Sequence, residues 1–224
     1  GVYLVVEQED GRFLDEHNLP DGNFYKMESG TGELNNLGPA GPTDKSDLNY
    51  FLNTYRSTNA FPSDIWWRTN FSLANYWSYQ SIVQAVHHYD ICYDKNYFYY
   101  RNPATGLWSI HSWDLDLSWA NNMFDANCGG VDDLYQPVFG GGRYPARPAL
   151  SLEYRNRVRE IRDLLFNPDQ AWQLIGECAG LLRGPTNGPT ILDADRCQWD
   201  YNPKMTNSAY SSSTNKAQFG RFYQ

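Results

Sequence analysis

The chain has no long apolar run, and it has few of the basic residues with which proteins bind nucleic acids. No stretch approaches the roughly 20 apolar residues of a membrane helix, so the sequence predicts no membrane span. Its 18 Lys and Arg are outnumbered by 26 Asp and Glu, which gives a formal net charge of −8. This acidic balance argues against nucleic acids and anionic membranes as partners.

Cysteine is also scarce, with four residues and no C-x-x-C pair. The spacing therefore argues against a structural zinc site. An even count in a chain rich in Tyr and Asn favours two disulfide bonds and a secreted protein. Sequence order favours Cys92–Cys128 and Cys178–Cys197 among the three connectivities, and four reduced, buried thiols are the alternative.

Two local signals bear on export and on phosphate binding. Asn70-Phe71-Ser72 is the one N-glycosylation sequon, and it is consistent with export from a eukaryotic cell. No Gly-Lys-Ser/Thr follows the triple glycine at 140–142, so this segment does not match a phosphate-binding loop. Flexibility is the preferred explanation for these glycines.

The most informative stretch is Ile110–Trp119, an apolar segment that predicts a short strand ending in two aspartates. Asp114 and Asp116 are two residues apart, which in an extended chain puts both carboxylates on one face. Upstream, a second polar segment carries Asp90 and Asn96. The chain between them runs from the aromatic segment Tyr97–Arg101 through a loop with Pro and Gly to Leu107–Ile110, which predicts a β-hairpin.

A hairpin would return both polar segments to the same end of a sheet, so the four side chains could share one site. Carboxylate and amide oxygens suit a hard cation such as Mg²⁺, and such a cation can carry the phosphates of a nucleotide. Ordinary turns and caps are the competing explanation, because Asp and Asn are common there.

The remaining patterns predict a mixed α+β fold. Residues 1–7 and 24–27 predict strands, whereas residues 28–45 and 121–147 predict irregular segments dense in Gly, Pro and Asn. A turn is predicted at 9–12, and the tail from Asp200 is predicted to be weakly ordered. Helices are predicted at 46–55, 63–68, 72–88, 151–166 and 169–182.

Several strings occur in an order that is specific as a set. They are Gly1-Val2-Tyr3 with Glu7, Asp21–Lys26, Asp90, Lys95–Tyr100 and Trp113–Asp116. Together they resemble the spore-coat protein H (CotH-like) kinase family, as far as the helix around 155–165 and more loosely to Trp199.

The resemblance implies a reduced, atypical protein-kinase fold, mainly its helical C-terminal lobe with a small β-sheet and hairpin at the site. A single CotH-kinase-like domain would then span residues 1–224. Its parts would be a hinge strand and loop region at 1–45, a helical C-terminal lobe at 46–199 around a central hairpin at 96–117, and a Ser/Asn/Tyr-rich tail at 200–224.

The resemblance also implies roles for the clustered polar residues. Asp90 resembles the catalytic-loop Asp that accepts the hydroxyl proton, and Asn96 resembles the Asn that helps to hold a metal. Asp114 resembles the metal-binding Asp of the activation segment, and Asp116 shares or replaces it. Five residues separate Asp90 from Asn96, against four in ordinary protein kinases.

Nucleotide binding would fall to Tyr3, Glu7 and Trp113, with Tyr3 and Trp113 enclosing the adenine. Ordinary core packing is the alternative for the two aromatic residues. The cofactors implied are ATP with Mg²⁺ or Mn²⁺.

The function implied is transfer of the ATP γ-phosphoryl group to Ser or Thr of a secreted protein by a secreted kinase-like enzyme. In this family the phosphate-covering loop and its Lys lie upstream of the Gly-Val-Tyr strand, so most of the N-terminal lobe is expected to be absent from this chain. The alternative is a non-catalytic extracellular adhesin, matrix or filament component on the same fold, with self-assembly or a cell-surface partner.

Overall fold

A computed structural model describes residues 6–88, 90–91, 94–115, 118, 130–183 and 188–191. Residues 7–159 form one unit, and the first six residues with residues 160–224 belong to a second. In chain order the elements are α1 (Gly11–Glu16), β1 (Phe24–Glu28), β2 (Thr31–Asn36), α2 (Ser46–Arg56), α3 (Asp64–Asn70), α4 (Leu73–Ala85), β3 (Tyr97–Arg101), β4 (Trp108–Ser112), α5 (Tyr135–Phe139), α6 (Pro148–Leu164) and α7 (Pro168–Arg183).

The four strands form an antiparallel sheet in the order β2-β1-β3-β4. β3 and β4 pair from Tyr97 with Ser112 to Arg101 with Trp108, which confirms the predicted hairpin. Its loop needs Gly106, whose φ of +73° lies in the left-handed region that side chains disfavour. The mixed α+β fold class is therefore confirmed.

The central strands are buried on both faces. Successive side chains of a strand point in opposite directions, so neighbouring residues belong to different hydrophobic clusters. Tyr25, Tyr97 and Tyr99 belong to the larger hydrophobic core, together with residues of α2, α3 and α4. Phe24 and Phe98, one residue along, belong to a smaller cluster that also contains residues of α1. Most of the aromatic residues that stand out in the sequence of these strands therefore serve packing.

A buried carboxylate, Asp133, organises the polar part of the larger core. Tyr97 and Tyr99 each donate a hydroxyl hydrogen bond of 2.8 Å to its Oδ1, and Tyr55 donates to its Oδ2. Arg56 adds an Nε hydrogen bond of 3.0 Å and an ion pair. The carboxylate side chain is only 8% exposed, so these charge-assisted bonds replace its lost hydration. They tie α2 and β3 to the segment before α5.

The neighbouring Asp132 lies in a different environment. Its carboxylate accepts hydrogen bonds from the Tyr76 hydroxyl at 2.9 Å, from the Leu134 backbone N–H at 2.8 Å, and from Gln80. No cation pairs with it among the described residues. Burial, and then the charge of Asp133, raise the pKa of Asp132 to about 7.

Two local predictions were wrong. Thr31–Asn36 forms the edge strand β2, not part of a loop, because its backbone pairs with β1 while most of its side chains face solvent. The turn predicted at 9–12 was wrong in its second half: Glu9 and Asp10 form a turn, but Gly11–Glu16 forms the short helix α1, because Asp10 caps it by accepting a hydrogen bond from the Arg12 N–H. Both elements carry many exposed, polar side chains, so hydrophobic periodicity in the sequence does not predict them.

Other boundaries differ or fall outside the described residues. α6 begins three residues before the predicted start, and α5 lies within the segment predicted to be irregular. Most of the predicted strand at 1–7 and the whole tail from 200 lie outside the described residues. None of the helices in the described part combines the length and apolar character that a membrane crossing requires.

The predicted covalent modifications stay predictions. Cys178 lies exposed on α7 and forms no disulfide with another described residue, and the other three cysteines lie outside the described residues. Asn70 is the last residue of α3, and its Nδ2 donates a hydrogen bond of 2.9 Å to the Trp66 carbonyl oxygen. This half-buried amide is the group that glycosylation would modify.

The raised pKa of Asp132 predicts that stability decreases as pH rises from about 4 to about 7. In this range the folded chain keeps the proton that the unfolded chain releases, so the free energy of unfolding falls by up to about 1.4 kcal/mol per pH unit. Asp132→Asn removes this linkage and is expected to flatten the slope. Urea unfolding at pH 4.5, 5.5, 6.5 and 7.5 measures it.

Asp94 and Glu9 retain part of the slope in this variant. Burial and Asp133 raise the pKa of Asp94 to about 6, and burial and Glu7 raise the pKa of Glu9 to about 8. Asp15→Asn, at an exposed position on α1, is the matched control and is expected to keep the native slope. An unchanged slope in Asp132→Asn would contradict a protonated Asp132.

Candidate functional site

Asp90 lies in the turn after α4, and two neighbouring side chains hold its carboxylate. Lys95 Nζ is 3.1 Å from Asp90 Oδ2 and forms an ion pair with it. Asn96 Nδ2 donates to the same oxygen at 2.9 Å and to the Asp90 backbone carbonyl at 3.0 Å. The Asp90 side chain is 16% exposed, so it keeps limited access to solvent. The loop therefore fixes a partly accessible carboxylate by contacts within seven residues.

The hairpin brings the second polar segment back to this loop. The Trp113 backbone N–H donates a hydrogen bond of 3.2 Å to the Asn96 carbonyl oxygen, immediately beyond the paired ends of β3 and β4. Asp114 follows with an exposed side chain. The structure thus brings the segments of Asp90, Asn96 and Asp114 to one end of the sheet. Asp116 lies outside the described residues.

A buried histidine lies between the two segments. His88 is 1% exposed, and burial lowers the pKa of its imidazole below the usual range. The Trp113 backbone and the charges of Asp90 and Asp114 oppose this shift, so both carboxylates act on one ring. His88 was not predicted as a site residue, and its position two residues before Asp90 was the available signal.

The backbone is strained in the same two segments. Four of the seven described non-glycine residues with positive φ lie here: His87, Asp94, Asn96 and Asp114, with φ between 50° and 67°. Asn and Asp tolerate this left-handed conformation better than other side chains do. Such residues concentrate at functional sites, where the surrounding structure holds them in place.

Arg56 anchors the Asp90 loop to the core. Its Nη1 donates a hydrogen bond of 2.6 Å to the Gly30 carbonyl oxygen, and its Nη2 is 3.4 Å from Asp94 Oδ2. The Gly30 N–H in turn donates a hydrogen bond of 3.2 Å to the Asp94 carbonyl oxygen. Because Arg56 also pairs with Asp133, one guanidinium connects the loop with the buried tyrosine network. No pattern in the sequence indicates the contact between Arg56 and Asp133, which lie 77 positions apart.

Two oxygen donors are suited to a metal ion. Within the described residues the Asn96 Oδ1 accepts no hydrogen bond, since the amide nitrogen makes both contacts with Asp90. The Asp114 carboxylate is exposed. No group of three or more His, Cys, Asp or Glu in the described part of the chain is arranged to hold a metal. The protein would therefore supply few ligands, as is common for Mg²⁺ that is also bound by phosphates.

The residues predicted to bind the nucleotide are only partly described. The half-buried Trp113 packs edge-on against Phe98 with 5.4 Å between ring centroids, and Lys26 Nζ lies 5.7 Å from its ring centroid. Glu7 pairs with His17 at 3.0 Å. Tyr3, the predicted second wall of an adenine site, lies outside the described residues.

Two substitutions of Asn96 distinguish the effect of its side-chain hydrogen bonds on stability from the effect of its left-handed backbone. Asn96→Ala loses both hydrogen bonds to Asp90 and places Ala at a φ of 67°, so we expect destabilisation by about 2–4 kcal/mol. Asn96→Gly loses only the hydrogen bonds and is expected to be about 1 kcal/mol less destabilised. Urea unfolding measures both.

Asn18 provides the matched control, because it is exposed and has a φ of 54°. Asn18→Ala is expected to show only the backbone effect of about 1 kcal/mol. If Asn96→Ala were no more destabilising than Asn18→Ala, the contacts with Asp90 would not hold the loop.

Comparison with known proteins agrees with the resemblance seen in the sequence. Residues 1–202 match the profile of the family described as CotH kinase protein. None of the curated proteins compared with the chain matches it. The family match covers most of the chain and includes both polar segments and the hairpin between them. The chain belongs to the CotH kinase protein family.

Proposed function

We propose that this chain is a secreted, kinase-like protein that transfers the γ-phosphoryl group of ATP to Ser or Thr of a secreted protein. Membership of the CotH kinase protein family indicates a kinase-like function. The observation that carries the finer proposal is the arrangement around Asn96. One side of its amide holds the Asp90 carboxylate, and the other leaves Oδ1 without a described hydrogen bond, near the segment of Asp114.

Phosphoryl transfer requires positioned charges more than covalent chemistry by the protein. Asp90 would accept the proton of the attacking hydroxyl, because its carboxylate is fixed by Lys95 and Asn96 and is still partly accessible. The fixed orientation would direct a carboxylate oxygen at the substrate, which is the first requirement of a general base.

The donor set fits a hard divalent cation. Asn96 Oδ1 and the carboxylate of Asp114 are oxygen ligands of the kind that Mg²⁺ or Mn²⁺ prefers, and Asp116 would share or replace Asp114. When bound, the cation neutralises charge on the transferred phosphoryl group. Left-handed backbone at Asn96 and Asp114 would direct both groups toward the same ion.

The nucleotide base would lie against Trp113, with Tyr3 as the second wall and Glu7 as a further contact. The half-buried indole already packs on Phe98, which limits its rotation and keeps a ring face available for stacking. We further propose that the protein acts outside the cell. The even number of cysteines and the sequon at Asn70 support this location.

A non-catalytic extracellular role is the second candidate. It is favoured by the apolar side chains that α7 leaves exposed, including Trp172 at 72% and Ile175 at 57%. Such residues are typical of surfaces that contact another molecule. In this candidate the kinase-like fold would serve as a scaffold for self-assembly or a cell-surface partner.

A titration with Mn²⁺ and ATP tests the first candidate. At a hundredfold excess over Kd, the ligand should stabilise the native chain by about 2.7 kcal/mol. For a chain of this size, each kcal/mol of stabilisation raises the Tm by roughly 2–4 °C. Asp114→Ala is expected to lose the shift. Because its side chain is exposed, the free protein should be destabilised only by the backbone effect of Ala at a φ of 57°, about 1 kcal/mol.

Asp15→Ala removes an exposed carboxylate on α1 and is expected to keep the full shift, which controls for nonspecific binding of Mn²⁺ to an acidic protein. A shift with ATP and EDTA that equals the shift with Mn²⁺ and ATP would contradict a metal site. The absence of any shift in the native chain would reject nucleotide binding and favour the scaffold.

A further inference from the structure

A cavity of about 330 Å³ lies beside the free edge of β4, against α4 and the start of α1. It uses none of the residues assigned above to metal or nucleotide. Apolar side chains from all three elements form much of its wall. The lining includes Glu9, Phe13, Tyr79, Ile82, Val83 and Ile110.

Two buried oxygens in this lining lack hydrogen-bond partners. Glu9 and Tyr79 are each only 7% exposed. Among the described residues, neither Glu9 Oε2 nor the Tyr79 hydroxyl makes a hydrogen bond. Buried polar atoms are nearly always paired, and an unpaired one costs about 1–3 kcal/mol. Glu9 and Tyr79 both line this cavity, so a ligand that carries hydrogen-bond donors would satisfy their unpaired oxygens.

The edge of β4 contributes further polar groups. The Ile110 N–H points away from β3 and donates a hydrogen bond of 3.0 Å to Asn75 Oδ1 on α4. Backbone groups of residues two apart leave the same side of a strand, so the Ser112 carbonyl oxygen leaves this edge as well. Ser112 lines the cavity, so its carbonyl oxygen is a candidate for a third acceptor.

The charges around the cavity favour a cation. No Lys or Arg is among its described lining residues, whereas Glu7 lies close enough to Glu9 to raise the pKa of its carboxyl group. The lining histidine, His111, is neutral near pH 7, because burial and then His17 lower its pKa to about 4. The rings of Phe13 and Tyr79 also attract positive charge.

We propose that this cavity binds a small primary ammonium compound with an apolar body. An ammonium group carries three N–H donors, which match the oxygens of Glu9, Tyr79 and Ser112. The apolar part of the ligand would pack against Phe13, Ile82 and neighbouring side chains. Binding also supplies the counter-charge that a buried Glu9 carboxylate lacks.

This assignment predicts release of a proton on binding. Burial and then Glu7 raise the pKa of Glu9 to about 8, so the empty cavity holds a protonated carboxyl group at pH 7. A bound cation favours the carboxylate and displaces this proton. Among the described residues, Glu7 is the charged group that acts on Glu9, and His111 and Tyr79 are the other titratable groups in the lining of the cavity. Burial lowers the pKa of His111 and raises that of Tyr79, so neither changes charge between pH 6 and 8.

Calorimetric titration of the full chain with benzylammonium chloride tests the proposal, with benzyl alcohol as the neutral probe of the same shape. The native chain is expected to bind the ammonium at least about tenfold more tightly than the alcohol. Titration in two buffers of different ionisation enthalpy should show proton release at pH 7. Glu9→Gln keeps the size of the side chain and is expected to weaken ammonium binding at least about tenfold without weakening alcohol binding.

Tyr79→Phe retains the ring and removes one acceptor, so it should weaken ammonium binding by a smaller factor. Glu16→Gln, an exposed position on α1, is the control and should bind like the native chain. Equal affinity for the two probes, or full ammonium affinity in a folded Glu9→Gln, would overturn the proposal. Lack of ammonium binding by the native chain at millimolar concentration would also overturn it. The outcome is independent of the Mn²⁺ and ATP titration, because no shared residue is altered.

Discussion

The contact between Arg56 and the buried carboxylate of Asp133 is the interaction on which the rest of the larger unit depends. Asp133 holds the hydroxyls of Tyr55, Tyr97 and Tyr99, and Arg56 carries the connection on to the Asp90 loop through Gly30 and Asp94. Removal of one partner from a buried ion pair leaves the other charge unpaired, at a cost of about 3–5 kcal/mol. The pair is therefore required for the order of the site as well as for the core.

The site uses this rigid support to hold a few polar groups at one end of the sheet. Asp90 is fixed within its own loop by Lys95 and Asn96, and the β3–β4 hairpin returns Asp114 to the same place. A kinase-like function needs little more from these groups, since phosphoryl transfer depends on orientation and charge neutralisation. Asn96 and Asp114 adopt a strained, left-handed backbone conformation, which the surrounding contacts stabilise.

Sequence reasoning was sufficient where one chain segment determines its own structure. The hairpin follows from two largely apolar segments on either side of a Pro- and Gly-containing loop, and its geometry predicts that Asp90, Asn96 and Asp114 meet. The ordered strings predict the CotH kinase family, which the family profile confirms. The edge strand β2 was missed because pairing with β1 stabilises it, whereas its own side chains are mostly exposed. The Arg56–Asp133 contact and the cavity at Glu9 were not predictable, since tertiary packing alone brings such distant residues together.

Location of the metal tests the central claim most directly, because it does not depend on an identified phosphoacceptor. Crystals grown with Mn²⁺ and a non-hydrolysable ATP analogue would give an anomalous difference map at the manganese edge. We expect a manganese peak within about 2.5 Å of Asn96 Oδ1 and of an Asp114 carboxylate oxygen, with phosphate oxygens completing the coordination. A peak at another acidic position, such as Asp132 and Asp133, with none between Asn96 and Asp114, would contradict it.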